Sequence, residues 1–138
     1  MKSFNYLLIL LLLYSCGTND SIIGAEQDEI NDVEITVIEK YFLTSELKAV
    51  GTIENKGIAT ILPPWYVEGK FYADNTQATV IGGDNDKQNI SLEAGESINW
   101  ELIITSDELT ITGANVSDYP FFDVGSLRAY KGSQGIFD

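Results

Sequence analysis

Trp65-Tyr66-Val67-Glu68-Gly69-Lys70-Phe71-Tyr72-Ala73-Asp74 decides the fold. Odd positions are apolar or small, and even positions carry tyrosine or charge. Strict alternation of this kind marks a half-buried antiparallel strand, one face on a core and one on water. Ile98, Trp100, Leu102 and Ile104 likewise alternate with Asn99, Glu101 and Thr105, with Ile103 as an exception. Leu47, Ala49, Gly51 and Ile53 alternate with Lys48, Thr52 and Glu54, with Val50 as another. Val33, Ile35 and Val37 do the same with Glu34 and Thr36. Shorter strand candidates are Thr79–Ile81, Ile90–Leu92, Leu109–Gly113 and Val124–Lys131. Turn chemistry separates them at Asn55-Lys56-Gly57, Pro63-Pro64, Asp74-Asn75, Gly82-Gly83-Asp84-Asn85 and Glu93-Ala94-Gly95-Glu96. No stretch holds a helical period and no internal repeat is visible. The expectation is an all-β antiparallel sandwich of about seven strands over 33–138. Trp65, Val67, Phe71, Ile98, Trp100, Leu102 and Ile104 should all face its core.

Composition narrows the function classes. The 138 residues hold 21 Asp and Glu against 8 Lys and Arg, for a formal charge of −13. Such a chain repels phosphate backbones, which argues against nucleic acid as a partner. It also disfavours peripheral docking on anionic lipid. There is no histidine and one cysteine. A disulfide within the chain, a Cys/His zinc site and any histidine-dependent nucleophile are thereby excluded. No cofactor is expected.

The one cysteine stands at a telling place. Lys2 gives the start a positive charge, and Tyr6 to Leu13 is a continuous apolar run. The run has the size of a signal-peptide core and is too short to span a bilayer. Leu13-Tyr14-Ser15-Cys16 resembles the lipobox of bacterial lipoproteins. That resemblance implies a signal peptide over 1–15, cleavage before Cys16, and lipid on its thiol and freed amine. Several acyl chains on one residue, palmitate among them, make attachment durable. Gly17, where a retained lipoprotein of enteric bacteria would carry Asp, points to the outer membrane. Residues 16–32 read as an acidic linker without apolar period. Within it, Asp20-Ser21-Ile22 is similar to the acceptor motif of a Bacteroidetes O-glycosylation system.

A second resemblance covers the domain itself. Val50-Gly51-Thr52-Ile53-Glu54-Asn55-Lys56-Gly57, the strand Val67 to Asp74, and Leu92-Glu93-Ala94-Gly95-Glu96-Ser97 follow one another in order. This order resembles the FxLYD-type immunoglobulin-like domains of bacterial envelope proteins, with Ala73 standing between the aromatic and the acid. The resemblance implies an extracytoplasmic immunoglobulin-like β-sandwich and brings no catalytic residues.

Candidate sites are few. Tyr66, Glu68, Lys70 and Tyr72 share the outward face of their strand, and two tyrosines around a charge pair would suit a sugar or a protein edge. Asp84 and Asp86, in a presumed hairpin loop, offer hard oxygen ligands to calcium, although a solvated acidic loop is the plainer reading. Tyr41-Phe42 and Tyr119-Pro120-Phe121-Phe122 would plug the sandwich ends or grip a partner. Ser45-Glu46-Leu47-Lys48 fits the bare S-x-x-K pattern of penicillin-binding enzymes, but its companion motifs are absent and the match reads as chance. The leading expectation is a non-catalytic, lipid-anchored envelope module for protein binding or assembly. The alternative is an accessory carbohydrate-binding lipoprotein, with an enzyme third.

Overall fold

In a computed structural model, residues 28–132 are described. The signal peptide, Cys16 and Asp20-Ser21-Ile22 lie outside them. Seven strands follow one another: β1 (Asp28–Glu29), β2 (Val33–Phe42), β3 (Glu46–Asn55), β4 (Trp65–Tyr72), β5 (Val80–Gln88), β6 (Ser97–Thr105) and β7 (Asp123–Lys131). They form two antiparallel sheets, in the orders β1-β7-β4-β5 and β2-β3-β6. The order β2-β3-β6 has the connectivity of strands A-B-E in an immunoglobulin-like sandwich, and β7-β4-β5 that of F-C-C′. β1 takes the edge place beside β7 that a last strand would otherwise fill.

The core follows the period-two pattern. Trp65, Val67 and Phe71 of β4 meet Trp100, Leu102 and Ile104 of β6 in one buried cluster, with Ile98 partly buried at its margin. A register slip of one residue would turn all of these to water, so their joint burial fixes the register. Gly51 lies opposite Trp100. A Cβ there would stand 1.9 Å from the Thr36 carbonyl oxygen and 2.3 Å from the Trp100 ring. Only glycine leaves room for the indole, whose Nε1 donates to the Thr52 carbonyl at 3.0 Å.

Four local expectations differ from the structure. Gly82 to Gln88 is strand β5 and no hairpin loop. Ile90–Leu92 contributes one bridge, between Leu92 and Ile61, and Leu109–Gly113 lies between two single 3-10 turns, Ser106–Glu108 and Val116–Asp118. The linker ends earlier than residue 32: Asp28 and Glu29 pair with Lys131 and Tyr130, and Ile30 N–H donates to Ala129 at 2.8 Å.

The two sheets are tied along their sides. Asp84 and Asp86 lie on β5 opposite Gly69 and Val67, so they point inward at the sheet edge. Asp84 Oδ2 accepts the Ile103 N–H at 2.6 Å, and Asp86 Oδ2 accepts the Glu101 N–H at 3.1 Å. Glu108 Oε2 accepts the Thr105 N–H at 2.7 Å. These are alternate residues of edge strand β6, whose N–H groups turn away from β3. Carboxylates thus close an edge that would otherwise template pairing with another chain. On the other side, Lys40 of β2 reaches Asp123 of β7 at 2.5 Å. Burial pushes the Asp123 carboxyl upward, but bonds from Lys40, Gln77 and the Val124 N–H outweigh it and hold the group below its ordinary value of 3.8.

Candidate functional site

The β4 face expected to bind is on the predicted side of the sheet but is not open. Tyr66 is 2% exposed, Glu68 6% and Tyr72 7%, and of the four Lys70 alone is exposed. The cause is the central place of β4, which gives its outward side chains neighbours on both flanks. Tyr66 stacks on Tyr130 with centroids 5.2 Å apart, and the Lys87 ammonium lies 6.0 Å from its ring. Glu68 takes the Arg128 guanidinium on Oε1, while its Oε2 is buried without a hydrogen-bond partner among the described residues. Tyr72 Oη and Ser126 Oγ share a bond of 2.6 Å. These residues build a half-closed polar and aromatic layer, and they offer a partner little surface.

The calcium reading of Asp84 and Asp86 is replaced as well. Burial raises both carboxyls above their ordinary value, with the amide bonds from β6 pulling the other way. Their Oδ2 atoms are spent on backbone N–H groups of β6. Among the described residues no group of three or more Asp, Glu, Cys or His side chains is placed to hold a metal ion.

Open surface lies instead on the outer face of the three-stranded sheet. Between Val37 and Glu39 the β2–β3 register shifts by a bulge, and the extra residue, Ile38, is left 63% exposed. A bulge re-aims side chains, and here it turns Glu39 and Tyr41 outward. Cross-strand partners then set two rows. Glu39, Val50 and Glu101 form the first, and Tyr41, Lys48 and Ile103 the second. Apolar and charged groups alternate across both rows. Val50 and Ile103, the two residues that broke the strand alternation, supply the apolar places.

Two shallow depressions share Tyr41 and Val50 on this face. One, of about 440 Å³, is lined by Ile38, Glu39, Asn99 and Glu101 among others. The other, of about 240 Å³, adds Leu43 and Lys48. The charges are already paired: Lys48 Nζ meets Glu101 at 2.5 Å, and Tyr41 Oη donates to Glu39 at 2.5 Å. The bond to Glu39 raises the Tyr41 phenol and keeps it protonated. What remains is flat apolar area framed by fixed polar groups, which suits recognition.

The expected end plugs divide. Phe122 stacks on Phe71 with centroids 5.9 Å apart, and Tyr119 packs against the core. Phe121 and Phe42 stay exposed, and Tyr41 belongs to the face just described. Lys48 of the S-x-x-K match stands outward on β3 in its ion pair, while Ser45 is exposed in the turn before the strand. Among the described residues, no helix is long and apolar enough to cross a membrane. The chain matches no protein-family model, no curated protein and no solved structure.

Proposed function

We propose that this chain is a non-catalytic module of the bacterial cell envelope, anchored through lipid on Cys16 to the outer membrane, that binds a protein partner. The observation that carries the binding role is the outer face of β2-β3-β6. There Ile38, Tyr41 and Val50 present apolar surface with their charged neighbours already paired. The lipobox pattern around Cys16 supports the anchor. A non-catalytic role is supported by the fate of the raised carboxyls, both of which serve backbone amides of β6. Accessory carbohydrate binding is the second reading, favoured by the Tyr41 ring and the Asn99 amide lining one depression. Site-specific photo-crosslinking in living cells tests the first reading. A photoreactive residue at Tyr41 should give one discrete protein adduct, and the same residue at Lys87 on the opposite sheet should give none. Equal adducts at both positions, or none at Tyr41, contradict it. A glycan adduct in place of protein favours the second reading.

A further inference from the structure

The end of the sandwich at which Asp28 enters the fold carries exposed apolar side chains. Asp28 pairs with Lys131 at the foot of β7, so the chain enters the fold at the end where β3 finishes and β4 begins. The loops of that end run from Lys56 to Pro64 and from Asn89 to Glu96. Ile58 is 100% exposed and Leu62 is exposed in the first loop, and Ile90 is exposed in the second.

Hydrogen bonds pin the bases of both loops. Asn55 is buried and donates to the Ala59 and Leu92 carbonyls at 2.8 and 3.0 Å. Its own backbone bonds Glu96 and Gly95, and Ile61 and Leu92 exchange both N–H bonds. The loop that carries Ile58 also borders a depression with the entry segment Asp28–Asp32. Cys16 precedes Asp28 by twelve residues. Even fully extended, such a stretch spans at most about 40 Å.

We infer that this end faces the bilayer and that Ile58, Leu62 and Ile90 enter the headgroup region of a zwitterionic lipid surface. The inference rests on the proposed lipid anchor. Charge decides the kind of lipid: Glu93 and Glu96 lie in the second loop, Asp28 and Asp32 line the depression beside the first, and Lys56 is already held by Glu34 and Glu54. Seated this way, the module holds Phe121 and the β2–β3 turn away from the membrane.

The test uses the lipidated full chain in phosphatidylcholine vesicles. Lipid blocks Cys16, so Ile58→Cys or Phe121→Cys gives a single site for a nitroxide label. Spin-label accessibility should place the label at 58 roughly 5 Å or more below the headgroup boundary, reached by oxygen and shielded from a water-soluble nickel chelate. The label at 121 should be reached by the chelate. Lipidation is read separately, by the mass of the N-terminal peptide and by flotation with the vesicles. A lipidated, floating chain whose label at 58 is as open to the chelate as that at 121 overturns this inference and leaves the anchor standing. A chain without lipid overturns both.

Discussion

Replacing Asp84 and Asp86 by alanine tests how the sandwich is closed. In the wild type their Oδ2 atoms accept the N–H groups of Ile103 and Glu101 at 2.6 and 3.1 Å. A hydrogen bond to a charged acceptor contributes about 1.5–3 kcal/mol, and on losing it the Ile103 amide is left half-buried while the exposed Glu101 amide turns to water. Against this stands the burial that raises both carboxyls, a cost that the substitution removes. The net expectation is a loss of about 1–2 kcal/mol for the Asp84→Ala/Asp86→Ala chain at pH 7. For a domain of this size that lowers Tm by roughly 5–15 °C. Asp84→Asn/Asp86→Asn keeps a neutral acceptor and drops the buried charge, so it should stay within about 0.5 kcal/mol of wild type or exceed it. The pH dependence has a definite sign. A carboxyl raised in the folded state binds more protons there than in the unfolded chain, so its unfavourable contribution is fully present at neutral pH. That contribution fades as pH falls through the raised value towards the ordinary 3.8. Any advantage of the asparagine variant should therefore shrink on acidification. Urea denaturation at pH 7 and at pH 4 reads the stabilities, and amide hydrogen exchange reads the edge directly. Exchange at Glu101 and Ile103 should accelerate in the alanine chain and hold in the asparagine chain. Unchanged protection at both amides in the alanine chain would refute the closing role of the carboxylates.

Gly51→Ala should destabilise by about 1–3 kcal/mol or more, because the new methyl meets both the Thr36 carbonyl and the Trp100 ring. Pairing it with Trp100→Phe should recover part of the loss, and strictly additive Tm shifts would show that the indole is not the obstacle. Trp100→Ala alone should cost about 3–5 kcal/mol by urea denaturation, as loss of a buried aromatic does. Tyr66→Ser should cost at least about 1 kcal/mol, since it breaks the stack on Tyr130; a melting curve identical to wild type would return the β4 face to solvent.

Most of the core was legible because each long strand states its inward face twice over. Trp65, Val67 and Phe71 fix one sheet, and Trp100, Leu102 and Ile104 the other. β5 was hidden because Gly82-Gly83-Asp84-Asn85 carries turn chemistry, and the inward places at Asp84 and Asp86 hold charge where the pattern asks for apolar residues. Those charges answer to β6, the next strand in the chain but one that belongs to the other sheet, so no local period shows the pairing. β1 spans two residues, too few for any period to show. The face of Tyr66 and Tyr72 misled because alternation reports which side a residue faces, and exposure depends on whether its strand is central. Val50 and Ile103 were readable clues. Each is an apolar residue at an outward position, and both lie on the face around Tyr41. Ile38 directly after Val37 breaks the alternation of β2 too, but that the break is a bulge follows from how β2 meets β3.

The proposed attachment of the domain to the envelope by lipid turns on one atom, the Sγ of Cys16. Metabolic labelling with a clickable fatty-acid analogue reads it directly. The wild-type chain should take up label and migrate at its processed mass. Cys16→Ala should take up none and remain unprocessed or be released. Equal labelling of the two chains would contradict lipid attachment at Cys16.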